Sequence, residues 1–224
     1  MPAADPVEAG FGALCKAVRE HYRAERARDP ALAASLDPLI ELLQRPRVGR
    51  RPARAVKPAC ALLPAALAAA ERGPLADVAR AFALVEPALA WTQNPNYSDA
   101  KLGQGYMAGY AYCDFIGPRG LMDSKAVALG VLLLGPGRLY PDHSHPAAEI
   151  YHVLSGTAEW SRDGGAFAPK PPGSAIHHAP WVRHAMRIGD ETLFALYGWV
   201  GEVAVAADLV PVIDSQQDRR GAQP

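Results

Sequence analysis

One stretch limits this chain's fold more than any other: Gly137-Arg-Leu-Tyr-Pro-Asp-His143-Ser-His145-Pro-Ala-Ala-Glu149-Ile-Tyr151-His-Val-Leu-Ser-Gly156. Three metal-ligand residue types follow a fixed rhythm here: His143, a gap of one, His145, a gap of three, Glu149. Glycines close both ends. In a β-strand, residues of equal parity point to one face. His143, His145, Glu149 and Tyr151 are all odd-numbered, so an extended chain turns them inward together. Pro146-Ala-Ala interrupts the run, so parity across it is a guide and no more.

Composition removes several function classes. Lys+Arg and Asp+Glu both number 23, and the formal net charge is zero, which speaks against a nucleic-acid or anionic-membrane binder. The basic stretch from Arg45 to Lys57 is broken by Pro46 and Pro52 and reads as an exposed connector. Three scattered cysteines, Cys15, Cys60 and Cys113, form no CxxC pair and no disulfide framework, which with the lack of a signal-peptide pattern gives a cytoplasmic expectation. The longest apolar run, Ala126 to Leu134, is too short to span a bilayer.

The texture changes near residue 92. Before it, Val7, Phe11, Leu14, Cys15, Val18 and Tyr22 recur at helical steps, as do Leu32, Leu36, Leu39, Ile40 and Leu43. Asp37-Pro38 inside the second set resembles a cap and first turn, predicting a kink or a fresh start. Further helices are expected over 59–71 and 75–89. After residue 92, period-two alternation from Tyr106 to Phe115 predicts a strand. Others are predicted at 126–134, 148–154, 157–162, 166–168, 175–178, 184–188 and 192–200. Glycine- and proline-rich turns separate them, the pattern of an all-β sandwich or barrel. The expected organisation is an α-helical N-terminal extension (1–91), a β-barrel (92–213) and a flexible C-terminal tail (214–224).

Two imidazoles and a carboxylate suit a divalent transition ion, and a fourth ligand is expected from a histidine on a later strand: His177, His178 or His184. Residues 137–156 resemble the first motif of the cupin superfamily, and residues 173–184 resemble the second in spacing and in Gly173 and His184. They depart at Ala179, where proline is expected, and at Trp181, where glycine is expected, which bears on the turn more than on the ligand. The resemblance implies a mainly β fold, a cupin barrel of the double-stranded β-helix or jelly-roll type. It implies His143, His145, Glu149 and His184 around one divalent transition ion: Fe, Mn, Zn, Ni or Co. His152, of even parity, is expected to face outward. His21 is expected to be solvated on its helix, and His177 and His178 to lie in the pocket wall or at the surface.

The segment from Leu139 to Gly156, with His184-Ala-Met-Arg later and a helical region before, looks like the cupin dimethylsulfoniopropionate (DMSP) lyases of the DddL and DddQ types. That resemblance implies a carbon–sulfur lyase in which Tyr151 removes the proton α to the substrate carboxylate, dimethyl sulfide leaves, and acrylate remains. It gives Tyr140, Trp199 and Tyr110 to the substrate wall, where aromatic faces hold an onium cation at about 0.5–2 kcal/mol per ring. A free tyrosine has a pKa of about 10, so ionisation near pH 7 needs about 4 kcal/mol of help, a scale a nearby divalent cation supplies. The implied partner is a small zwitterion; a homodimer is expected because the apolar faces of the N-terminal helices must be buried, and the balanced charge leaves neither nucleic acid nor membrane as a partner. Two alternatives stand beside it: another metal-dependent cupin enzyme of the dioxygenase type, and a non-catalytic cupin that binds a small ligand.

Overall fold

A computed structural model describes residues 5–210; the expected tail lies outside them. The helices come first, and their caps are legible. Asp5 accepts from the backbone N–H of Val7 at 3.0 Å, Pro6 takes the first turn, and α1 (Pro6–Arg28) ends on Arg26 and Arg28, which complement the helix dipole. Helix α2 (Ala33–Leu42) follows a 3-10 turn at Pro30–Leu32 and carries Pro38 inside it. The fresh start expected at Asp37 therefore does not occur; the Asp37 carboxylate pairs with Arg26 of α1 instead of capping. The third expected helix opens as a 3-10 turn (Pro58–Leu62) before α3 (Leu63–Ala70). The fourth, α4 (Ala76–Val85), stops where Pro87 cannot continue the ladder and closes in a 3-10 turn (Glu86–Ala88). A short α5 (Asp99–Leu102) precedes the sheets.

Ten strands follow: β1 (Tyr110–Ile116), β2 (Val127–Leu134), β3 (Leu139–Ser144), β4 (Ala148–Ser155), β5 (Ala158–Arg162), β6 (Ala168–Lys170), β7 (Ala175–His178), β8 (His184–Ile188), β9 (Leu193–Val200) and β10 (Asp208–Leu209). They form two five-stranded antiparallel sheets, ordered β1-β2-β9-β4-β7 and β10-β3-β8-β5-β6. This is the cupin double-stranded β-helix, as expected. The first strand begins four residues later than the alternation from Tyr106 suggests. Gly103 and Gly105 take positive φ, and Met107–Gly109 forms a 3-10 turn in which the Gly109 N–H donates to Tyr106 O at 3.0 Å. Strands β3 and β10 are additional to the predicted set.

The first sheet is covered on both faces, which is why β2 reads as an unbroken apolar run and is buried throughout. Its outer face carries Ile150, Leu154, Phe194 and Leu196, packed against Phe11, Leu14, Val18, Leu36, Leu39 and Phe82 of the helices. Each such side chain contributes about 1.5–3 kcal/mol by leaving water. The inner face carries Tyr110, Leu132, Tyr151, Val153 and Tyr197, packed against Tyr140, Trp160 and Met186 of the second sheet. From Glu149 to Leu154, strand β4 thus sends odd residues into the barrel and even ones under the helices, until a register shift turns Ser155 to Ala66 of α3. Gly156, which ends this strand's turn, has φ 82°, and a Cβ there would meet Thr192 O at 2.1 Å.

Candidate active site

Strands β3, β4 and β8 bring the predicted ligands together inside the barrel. His143 stands opposite His184 in the β3–β8 ladder, and a one-residue bulge separates that pair from Tyr140 opposite Met186. The bulge reconciles parity with position, because it lets even-numbered Tyr140 and odd-numbered His143 both face inward. Their rings stack at 4.0 Å. His143, His145, Glu149 and His184 are each at most 2 % exposed.

All three histidines point one nitrogen at a backbone carbonyl: His143 Nδ1 to Pro141 O at 2.9 Å, His145 Nδ1 to Ala147 O at 3.0 Å, and His184 Nδ1 to Val182 O at 2.9 Å. A carbonyl only accepts, so Nδ1 carries the proton and Nε2 keeps a lone pair, the form a metal takes. Nε2 of His145 lies 3.0 Å and Nε2 of His184 lies 3.2 Å from Glu149 Oε2. Ligand atoms of His145, Glu149 and His184 fall within 4.8 Å of one another. This donor set fits a divalent transition ion. His143 stands just outside the group, its ring 4.0 Å from that of His184. Burial and the neighbouring His184 hold His143 well below the usual imidazole range. With His145 and His184 protonated, the Glu149 carboxyl sits well below its ordinary value: burial works against this, and the charge and Nε2–H groups of the two histidines prevail.

The departure at Trp181 leaves the turn intact. Trp181 adopts φ 64°, the left-handed conformation that glycine favours, and its N–H donates to His145 O at 2.8 Å. The turn therefore holds both β8 and the backbone of a candidate ligand.

A cavity of about 150 Å³ opens beside the group, lined by Glu149, Tyr151, Tyr140, Tyr110 and Trp199 and by Tyr112, Tyr197, Asp114, Arg119 and Asn94. It is smaller than the roughly 300–1,000 Å³ clefts that take drug-sized ligands, so it suits a small metabolite. Tyr151 and Glu149 leave the same face of β4, opposite Tyr197 and Trp199 of β9. Burial, and next the Glu149 charge, push the Tyr151 hydroxyl well above its ordinary value of 10. The Tyr140 hydroxyl donates to that of Tyr97 at 3.0 Å. Trp199 does more than form wall: its indole N–H donates to Glu149 Oε1 at 2.5 Å, and its ring stacks on His145 at 4.0 Å.

Three neighbours of the site were not singled out from sequence. Tyr97 lies outside every predicted strand, so no alternation marks it. Asp114, 2 % exposed, accepts from the Tyr197 hydroxyl and pairs with Arg119 at 2.9 Å. Gly130, opposite Tyr197, makes room for that hydroxyl, which a Cβ would meet at 2.4 Å. His178, expected in the pocket wall or at the surface, lies inside the barrel beside the ligand group. It is buried, lies opposite Glu149 in the β4–β7 ladder, and stacks on His184 at 4.0 Å. It shares its parity with inward-facing Ile176. Its neighbour His177 faces the other way and bonds Ser35 of α2 at 2.7 Å. His152 points out of the barrel as expected yet is 0 % exposed, because α1 covers it, and His21 is half-buried against its ring rather than solvated. Among the described residues, no helix is long and apolar enough to cross a membrane.

The family model described as dimethylsulfoniopropionate lyase matches residues 31–195. A DddL-type protein of Cereibacter sphaeroides is 35 % identical over 185 residues, covering 82 % of this chain and 72 % of that one. The dimethylsulfoniopropionate lyase DddQ of Ruegeria pomeroyi is 34 % identical over 110 residues, covering 49 % of this chain and 55 % of that one. The crystal structure of the Ruegeria pomeroyi enzyme superposes with a TM-score of 0.63 at 28 % identity, covering 88 % of this chain and 96 % of that one. A chain from the crystal structures of the DMSP lyases RdDddP and RnDddQII shares the fold, with a TM-score of 0.70 at 20 % identity over 92 % of this chain and 100 % of that one. The match begins in the 3-10 turn before α2, ends within β9 and takes in every residue of the buried histidine–glutamate group; the chain belongs to the dimethylsulfoniopropionate lyase family of carbon–sulfur lyases.

Proposed function

We propose that this chain cleaves DMSP to dimethyl sulfide and acrylate in the cavity beside Glu149, with Tyr151 as the base and with His143, His145, Glu149 and His184 holding one divalent transition ion. The observation that carries the reading is the shared face of β4: Tyr151 lines the same small cavity as Glu149, two residues on. A divalent ion bound there supplies positive charge beside the substrate carboxylate and the Tyr151 hydroxyl, stabilising the enolate charge that builds at the α carbon and the phenolate that starts the reaction.

The remaining work falls to the chain. Tyr151 Oη takes the proton from the α carbon. The C–H electron pair becomes the α–β double bond, the β carbon–sulfur bond breaks, and dimethyl sulfide leaves with the electron pair of that bond. The leaving group is neutral, so no acid is required to protonate it. Without a cation Tyr151 stays protonated, because burial and Glu149 both oppose its ionisation. Tyr110, Tyr140 and Trp199 present aromatic surface to the sulfonium. On the same reading residues before 92 form an extension that packs on the barrel, and the working assembly is a homodimer.

The test is headspace detection of dimethyl sulfide from purified protein supplied with DMSP, under nitrogen, with and without chelator. Dimethyl sulfide and acrylate in equal amounts, lost on chelation and restored by a divalent ion, support the reading. Dependence on oxygen, or no dimethyl sulfide at any metal loading, contradicts it.

A further inference from the structure

A second group of ligand residues lies outside the barrel. His21 and Glu25, one turn apart on α1, face His152 on the outer side of β4, and ligand atoms of the three fall within 4.8 Å of one another. The rings of His21 and His152 meet edge to face at 4.4 Å. His152 is 0 % exposed, and neither of its ring nitrogens has a hydrogen-bond partner among the described residues. Nε2 of His21 is likewise buried and unpartnered. Buried polar atoms are nearly always satisfied, so an imidazole left with both nitrogens bare calls for an explanation.

We propose that His21, Glu25 and His152 form a second metal site, which takes a divalent transition ion of the zinc type and clasps helix α1 to the barrel. Two imidazoles and a carboxylate are a set that zinc accepts, with a fourth position left to water. Metal–ligand bonds of about 2.0–2.2 Å place tetrahedral donors about 3.3 Å apart, so the group closes by small side-chain adjustments. Burial lowers the pKa of His21 and of His152, which keeps both imidazoles neutral with a lone pair to give. Arg28 occupies one oxygen of the Glu25 carboxylate, and a carboxylate has a second to offer. Glu25 is 5 % exposed, so an ion there would be shielded from solvent by the helix. The fold gives the site a structural role, because it joins an N-terminal helix to the strand that also carries Glu149 and Tyr151.

The experiment counts zinc ions bound by chelator-stripped full-length protein after equilibrium dialysis, comparing wild type with H21A and with E25Q. H21A removes a half-buried ring without opening a cavity in the sheet, and E25Q keeps the side-chain shape. Thermal unfolding is followed in a H145A/H184A background, where zinc acts through the second group alone. The expected result is one ion fewer per chain in both variants than in wild type. In the H145A/H184A background, zinc at a hundred times its dissociation constant raises the melting temperature by about 5–10 °C, a shift that H21A abolishes. Equal ion counts in wild type and both variants, or a zinc-induced shift that survives H21A, overturns the proposal.

Discussion

Replacing Trp199 with phenylalanine separates two roles for this side chain. From sequence it belongs to the substrate wall; in the structure its indole N–H also donates to Glu149 Oε1 at 2.5 Å while its ring stacks on His145. Phenylalanine keeps much of the stack and deletes the donor. Glu149 is 1 % exposed, so water does not readily replace the lost bond. A hydrogen bond to a charged group contributes about 1.5–3 kcal/mol, which at about 1.4 kcal/mol per decade is a 10- to 150-fold change in an equilibrium constant. That range overlaps the roughly 10- to 100-fold loss of metal affinity that follows removal of a group behind a metal ligand. The assay is a competition titration of Trp199→Phe and wild type against a chromophoric chelator, with turnover measured at saturating metal. The metal dissociation constant should rise at least tenfold, and turnover should largely return at saturation. An unchanged metal dissociation constant with a raised KM would refute the reasoning and return Trp199 to the substrate wall alone.

Chelator-stripped protein should lose stability as pH falls below about 6.5. His178 is the clearest contributor: burial, and next the neighbouring His184, lower its pKa to about 3, so the unfolded chain takes up its proton first and gains stability over the fold. That single group costs about 1.4 kcal/mol by pH 5.5. His143 and His152, also lowered by burial, act in the same direction, while Asp114, raised by burial, acts against them. Urea unfolding at pH 7.5 and 5.5 reads the difference, and equal midpoints contradict it. Trp181→Gly should leave the melting temperature unchanged or raise it by a few degrees. The left-handed conformation costs a non-glycine residue about 1–2 kcal/mol, glycine returns about 0.5–1 through its looser unfolded chain, and Trp181, 66 % exposed, gives up little burial. A marked fall in melting temperature would mean that the indole itself holds the turn.

Most of the barrel was legible because period-two alternation and glycine turns are local signals. They located β2, β4, β7, β8 and β9 to within a residue or two, and the helical periodicities located α1 and α2. The misses have physical causes. At Tyr106–Gly109 the glycines allowed a 3-10 turn that alternation alone cannot distinguish from a strand. Pro38 looked like a helix start because proline suits a first turn, yet Asp37 was taken by Arg26 across the helix pair. Within the candidate site, the rhythm of His143, His145 and Glu149 with the spacing to His184 was readable along the chain. Tyr97, Asp114 and Arg119 were not, since they come from separate segments that only the closed barrel brings to one cavity. His152 shows the limit of parity: it gave the right face, but only the packing of α1 shows that the face is buried.

The central claim is that Tyr151 removes the α proton beside a bound ion. The direct measurement is DMSP turnover by Tyr151→Phe together with its metal content. A general base contributes about 10²–10⁴-fold, so dimethyl sulfide release should fall by at least about a hundredfold while the ion count per chain matches wild type. Turnover at the wild-type rate with an unchanged ion count would contradict the account.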